Sequence, residues 1–257
     1  MRATGNNMAA VTDSVDVLGV SVDDVDMDST LGLIEGWVSE RKPRFVATVN
    51  PEFVMLARRY PGFRAVLQSA DLRLPDGWGV AWAARRNGRS LERVTGSDLV
   101  LPLARRAAER GWRLFLLGAG PGIAEQAAGR LREEAPGVVI AGSFSGEASE
   151  AGDAETAARI AEARPDVLLV AYGAPKQELW IVRNSPRLGI PVSIGVGGAF
   201  DYLSGRIPRA PAWMREAGFE WLFRLGRQPW RARRMTALPA FALAVLREGR
   251  QKSPDSL

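Results

Sequence analysis

Along the first 205 residues of this chain, short apolar runs that close on Gly, Asn, Asp or Pro alternate with stretches of helical periodicity. Such runs suit strands buried on both faces, and the helical stretches between them supply the covering layers. The alternation predicts an α/β fold, a Rossmann-like parallel sheet flanked by helices. Strands are expected at 15–20, 44–49, 72–74, 113–118, 138–142, 166–171 and 191–195. Helices are expected at 28–41, 51–60, 78–87, 97–110, 122–134, 154–164 and 176–184. Ser97 and Asp153 read as N-caps, and Gly111 as a helix C-terminal glycine. After Arg206, Pro208, Pro211, Pro229 and Pro239 break the pattern into short helices. The expected organisation is a flexible tail (1–14), a body (15–205) forming one unit or two lobes (15–95 and 96–205), and a basic helical C-terminal appendage (206–257).

Two absences exclude much chemistry. Without cysteine there is no disulfide, thiolate nucleophile or thiolate-bound zinc, and without histidine there is no Ser–His–Asp triad. Any general base is therefore a carboxylate, a lysine or a tyrosine. Charge is uneven. Residues 206–257 carry 11 Lys+Arg against 4 Asp+Glu, while the rest of the chain carries 23 against 25. That basic fifth reads as a surface for an anionic partner. The first fifteen residues are polar and lack the apolar core of a secretory signal. The apolar run 238–246 is far shorter than the roughly 20 residues that span a bilayer. A cytoplasmic protein, peripheral on the inner face of the membrane, is expected.

In open parallel sheets, ligands bind beyond the carboxyl ends of the strands, and polar or glycine residues cluster there in this chain. Asp76, in ADLRLPDGWG, is placed either to accept a proton from a substrate hydroxyl or to serve as a turn residue. Thr48 and Asn50, in TVNPEF, share one side of a strand end; they suit a sugar hydroxyl, and Asn50-Pro51 is also a good helix start. GAGPG at 118–122 offers Gly118 and Gly120 as a phosphate cradle or a tight strand–helix turn. Ile123 stands where a dinucleotide fingerprint has its third glycine, which disfavours NAD. Tyr172 and Gly173 lead into Lys176, Gln177 and Glu178 at a helix start, suited to a diphosphate or a uracil edge or to a solvated first turn. Gly197, Gly198 and Asp201 follow the next strand. The acidic run from Asp23 to Asp28 has D-x-D spacings that suit a divalent metal, but its place before a helix favours capping.

The stretch from Gly195 to Arg234 combines glycines, arginine forks and aromatic faces, a set suited to a phosphorylated, ring-bearing ligand near a membrane surface. Arg206, Arg209 and Arg215, with Arg224, Arg227, Arg231, Arg233 and Arg234, can neutralise a departing diphosphate, grip a lipid-linked diphosphate or bind anionic headgroups. Trp213, Trp221 and Trp230 line such a site or form the core of small helices.

TVNPEFVMLAR, ADLRLPDGWGV, ERVTGSDL, FLLGAGPG, YGAPKQELWI, GVGGAFDYLSGRIPRAP and FEWLFRLGRQPWRARR occur in this order. Together, over roughly residues 15–234, they closely resemble the WecG/TagA/CpsF family of bacterial glycosyltransferases. The resemblance implies an inverting transferase that moves a sugar, with N-acetylmannosamine the first choice and another hexose such as glucose the alternative. The donor is a UDP-sugar, and the acceptor is a sugar on polyprenyl diphosphate at the cytoplasmic membrane face, in surface-polysaccharide synthesis. It places the catalytic base on Asp76, neighbouring polar positions on Thr48 and Asn50, and cleft residues on Arg93, Thr95, Gly96, Asp98, Gln177 and Glu178. The C-terminal arginines match an appendage that completes the site on membrane docking. No metal or other cofactor is implied, no nucleic acid is expected, and a homo-oligomer is allowed. With an ordinary carboxylate pKa near ~4, Asp76 would be ionised but a weak base, which partial burial would correct. A nucleic-acid-binding protein is the reading of another class that the basic, aromatic tract permits.

Overall fold

The computed structural model describes residues 13–229 and 235–251, without the side chains of 216 and 249–251. Trp230, Arg231, Arg233 and Arg234 lie outside the described residues.

The core is a six-stranded sheet of β3 (Arg44–Val49), β4 (Leu72–Pro75), β5 (Arg113–Gly118), β6 (Val139–Phe144), β7 (Val167–Ala171) and β8 (Val192–Gly195), ordered β4-β3-β8-β7-β5-β6. Every pairing is parallel. The strand period of two sorts side chains onto both faces. Leu114, Leu116, Val167 and Leu169 enter one apolar cluster, while Phe115, Leu117, Leu168 and Val170 enter the other. The first cluster is covered by α1 (Met27–Glu40), α5 (Gly96–Arg110), α6 (Ile123–Glu134) and α9 (Ala199–Leu203). The second is covered by α2 (Pro51–Arg59), α3 (Pro61–Gln68), α4 (Trp78–Arg86), α7 (Asp153–Ala163) and α8 (Lys176–Leu188). The expected doubly covered parallel sheet is present.

Several local expectations need correction. The single strand expected at 15–20 is a hairpin, β1 (Ser14–Val17) paired antiparallel with β2 (Val20–Asp23). Leu18 and Gly19 both take positive φ, 56° and 83°, the conformation of a two-residue hairpin turn. Helix α3 was not anticipated, and α8 runs past Asn184 through Pro186. The α5 cap is Thr95 rather than Ser97; its hydroxyl accepts from the Asp98 amide at 3.0 Å. Asp153 is the first residue of α7, with Gly152 as the cap, and its carboxylate pairs with Arg183 at 2.6 Å. Gly111 closes α5 in the left-handed conformation as expected.

Beyond α9 the chain forms α10 (Ala212–Glu216), α11 (Glu220–Arg227) and α12 (Ala237–Gln251). Helix α12 packs on α2 and α4, and its Phe241 and Val245 are buried in the second cluster. No described helix is long and apolar enough to cross a membrane.

Candidate active site

The register aligns the carboxyl ends of four adjacent strands: Val49 sits opposite Pro75, Val46 opposite Ile194, and Val170 opposite Gly195. The residues that follow these ends therefore converge on one edge of the sheet. There, α4, α11 and the start of α12 close a cavity of about 800 Å³. Its lining includes Thr48, Asn50, Asp76, Arg93, Thr95, Gly173, Gln177, Gly197, Gly198 and Arg224 from the sequence-derived set. Gly96, Asp98, Gly118, Gly120, Tyr172, Lys176, Glu178, Asp201, Arg206 and Arg209 are not among its lining residues.

Asp76 follows β4, with its amide donating to the Val49 carbonyl at 2.8 Å. Its carboxyl is pushed up to about 7, first by burial and then by the negative charges of Glu220 and Asp98. The Arg224 guanidinium and the Gly96 amide oppose that rise. A carboxylate that titrates near neutrality matches general-base chemistry better than an ordinary exposed aspartate does.

The neighbours divide into groups facing the cavity and groups that hold its walls. Asn50 caps α2 by accepting from the Phe53 amide at 3.1 Å, which leaves its Nδ2 donors for the cavity. Buried Thr48 donates its hydroxyl to the Gly195 carbonyl at 2.9 Å and ties β3 to β8 at the site edge. The Gln177 Oε1 accepts from both the Gly173 and Gly197 amides, at 3.1 and 3.0 Å, and its Nε2 donates to Glu178 Oε1 at 2.6 Å. Gln177 thus clamps two glycine loops together. Lys176 is exposed. The Tyr172 ring packs against Trp180, with centroids 6.2 Å apart. Arg206 lies against Gly120, which joins it to the loop after β5.

Asp98 accepts from Arg209 at 2.8 Å and lies 3.9 Å from Arg215. Burial opposes its ionisation, but the Thr95 hydroxyl with Arg209 and Arg215 holds its carboxyl below the usual range. Arg93 donates to the Arg215 carbonyl at 2.9 Å. These contacts moor the C-terminal segment to the body. Arg224 lies directly over Gly198, where any side chain would collide with its guanidinium, and stacks on the Tyr202 ring at 5.0 Å. Among the described residues its Nε and Nη2 find no hydrogen-bond acceptor. Arg227 is exposed over the Phe223 ring.

Sequence reasoning passed over Trp78, Trp82 and Glu220 as cavity residues. The signals were present: Trp78 stands two residues after Asp76, and both Trp78/Trp82 and Glu220/Arg224 have the i,i+4 spacing of one helix face. The acidic run serves structure. Asp26 caps α1 by accepting from the Ser29 amide at 2.7 Å, and buried Asp23 pairs with Arg73 at 2.9 Å. Among the described residues no group of three or more His, Cys, Asp or Glu is placed to share a metal ion.

A family model described as the glycosyl transferase WecG/TagA/CpsF family matches residues 15–255. A Bacillus spizizenii protein named N-acetylglucosaminyldiphosphoundecaprenol N-acetyl-beta-D-mannosaminyltransferase is 36% identical over 215 residues, covering 83% of each chain. A Bacillus subtilis protein of the same name is 36% identical over 217 residues, or 84% of each chain. A Staphylococcus aureus protein, again so named, is 29% identical over 243 residues, covering 93% of this chain and 95% of its own.

Proposed function

The chain belongs to the WecG/TagA/CpsF family of glycosyl transferases, and from that membership we propose that it moves N-acetylmannosamine from UDP onto an N-acetylglucosamine carried by diphosphoundecaprenol. The relatives' names supply both the sugar and the acceptor. The observation that carries the mechanism is Asp76, a carboxylate with its pKa near 7, inside the cavity at the sheet's carboxyl edge.

In this reading the acceptor hydroxyl attacks the anomeric carbon as the C–O bond to UDP breaks, and the configuration inverts. Asp76 takes the hydroxyl proton. Asn50 Nδ2 orients a sugar hydroxyl, while Thr48 and Gln177 act through the backbone they hold. The charge that grows on the departing diphosphate meets Arg224 and the Gly197–Gly198 loop, which share the cavity with Asp76. Those groups supply the balancing charge without a metal. The exposed Trp213, Trp221 and Leu222, with Arg227 beside them in sequence, suit a peripheral seat on the inner face of the membrane, where the lipid acceptor resides.

The test is transfer from UDP-N-acetylmannosamine to the lipid-linked acceptor, with and without EDTA. Asp76→Asn is expected to lower kcat on the order of 100-fold or more while still folding cooperatively and melting no lower than wild type. Wild-type turnover in that variant would refute the assignment, and loss of activity in EDTA would refute metal independence.

A further inference from the structure

The cavity lining combines polar side chains, among them Asp76, Asn50, Gln177 and Arg224, with a set of large apolar ones. Among the apolar set, the Trp78 and Trp82 rings stack with centroids 6.1 Å apart and planes 14° from parallel. Trp78 keeps 41% of its surface exposed, unusual for so large an apolar group beside a polar site. The backbone at Gly218 presses on its indole; a Cβ there would come within 2.6 Å of the ring. Leu238 and Phe241, at the start of α12, line the same cavity, and the Phe241 ring lies beside Gly79 next to Trp78; the helix continues into exposed Leu243 and Leu246.

We propose that the apolar part of this lining, made by Trp78, Trp82, Leu238 and Phe241, binds the first isoprene units of the lipid acceptor. The proposal rests on the transferase reading above, which already requires an acceptor whose hydrocarbon chain begins one diphosphate away from the sugar. A branched hydrocarbon has no polar group to satisfy, and beyond the two indole N–H donors these side chains present none. A uracil ring would also stack on tryptophan, but its imide needs donors and acceptors that Leu238 and Phe241 do not offer. The wall lies in the same cavity as Arg224, so a diphosphate at the guanidinium and the prenyl carbons that follow it would share that cavity.

The experiment compares two acceptors, N-acetylglucosamine diphosphate carried on farnesol and the same headgroup carried on methanol. The wild-type full chain is expected to show a KM at least about tenfold lower for the farnesyl compound. Trp78→Ala and Leu238→Asn, each altering a partly exposed position, are expected to reduce that preference about tenfold, and Trp78→Phe to restore most of it. Equal KM for both acceptors in the wild type, or an intact preference in both variants, would overturn the groove while leaving the reaction standing. A rise confined to the KM for the UDP-sugar would assign the wall to the nucleotide and overturn it too. Transfer to neither acceptor by folded wild type would sink the reaction reading and the groove together.

Discussion

Asp76 is placed where catalysis and stability pull in opposite directions. Its folded-state pKa of about 7 exceeds the ordinary aspartate value of 3.8, so the folded protein holds this proton more tightly than the unfolded chain. The associated stability is fully present below about 4 and is lost as pH rises through about 7, which is where the carboxylate becomes a usable base. Asp76→Asn is therefore expected to melt higher than wild type at pH 8, with the gap closing as pH falls toward 5; calorimetry across that range checks it. Glu220 and Asp98 raise this carboxyl, Arg224 and the Gly96 amide lower it, and Glu52 and Arg93 line the same cavity. Removing the Glu220 charge should lower the pKa of Asp76. Glu220→Gln is expected to move the acid limb of the kcat/KM profile to lower pH. An unmoved limb would show that Glu220 does not tune the base.

Among the elements, the segment from Ile207 to Arg227 is tied to the body by a small set of polar contacts beside its buried Ile207 and Ala210. Asp98 holds Arg209 and Arg215, and Arg93 holds the Arg215 carbonyl. Arg209→Gln is expected to leave the body's melting transition within about 0.5 kcal/mol, because the pair is part-exposed. The same change should speed protease cleavage near residues 205–220 and lower kcat several-fold. If Arg209 gripped substrate instead, KM would rise with no change in cleavage. This mooring was not legible in the sequence, since nothing in a one-dimensional run pairs Asp98 with an arginine 111 residues later. The sheet was legible, because strands buried on both faces write themselves as unbroken apolar runs, and β3 and β5 end where expected. The β1–β2 turn escaped because Leu18 takes a positive φ that few leucines adopt. Asp76 and Asn50 could be picked out at strand ends, whereas the buried, hydrogen-bonded roles of Gln177 and Thr48 required the fold.

At the scale of the whole molecule, α12 belongs to the covering layer on one side and to the surface on the other. Phe241 and Val245 are buried against the second apolar cluster, and Leu243 and Leu246 are exposed. Phe241→Ala is expected to cost about 3–5 kcal/mol in chemical denaturation, whereas Leu246→Ser should change stability by less than about 0.5 kcal/mol. The same Leu246 change would weaken sedimentation with anionic vesicles if this face meets lipid. The cavity itself is composite, with a floor of strand ends and a roof of α11 and α12. Until that roof is seated, bulk solvent has the same access to the activated sugar as any alcohol does. A loosely roofed enzyme would therefore betray itself by futile hydrolysis, releasing free sugar and UDP with no glycolipid formed.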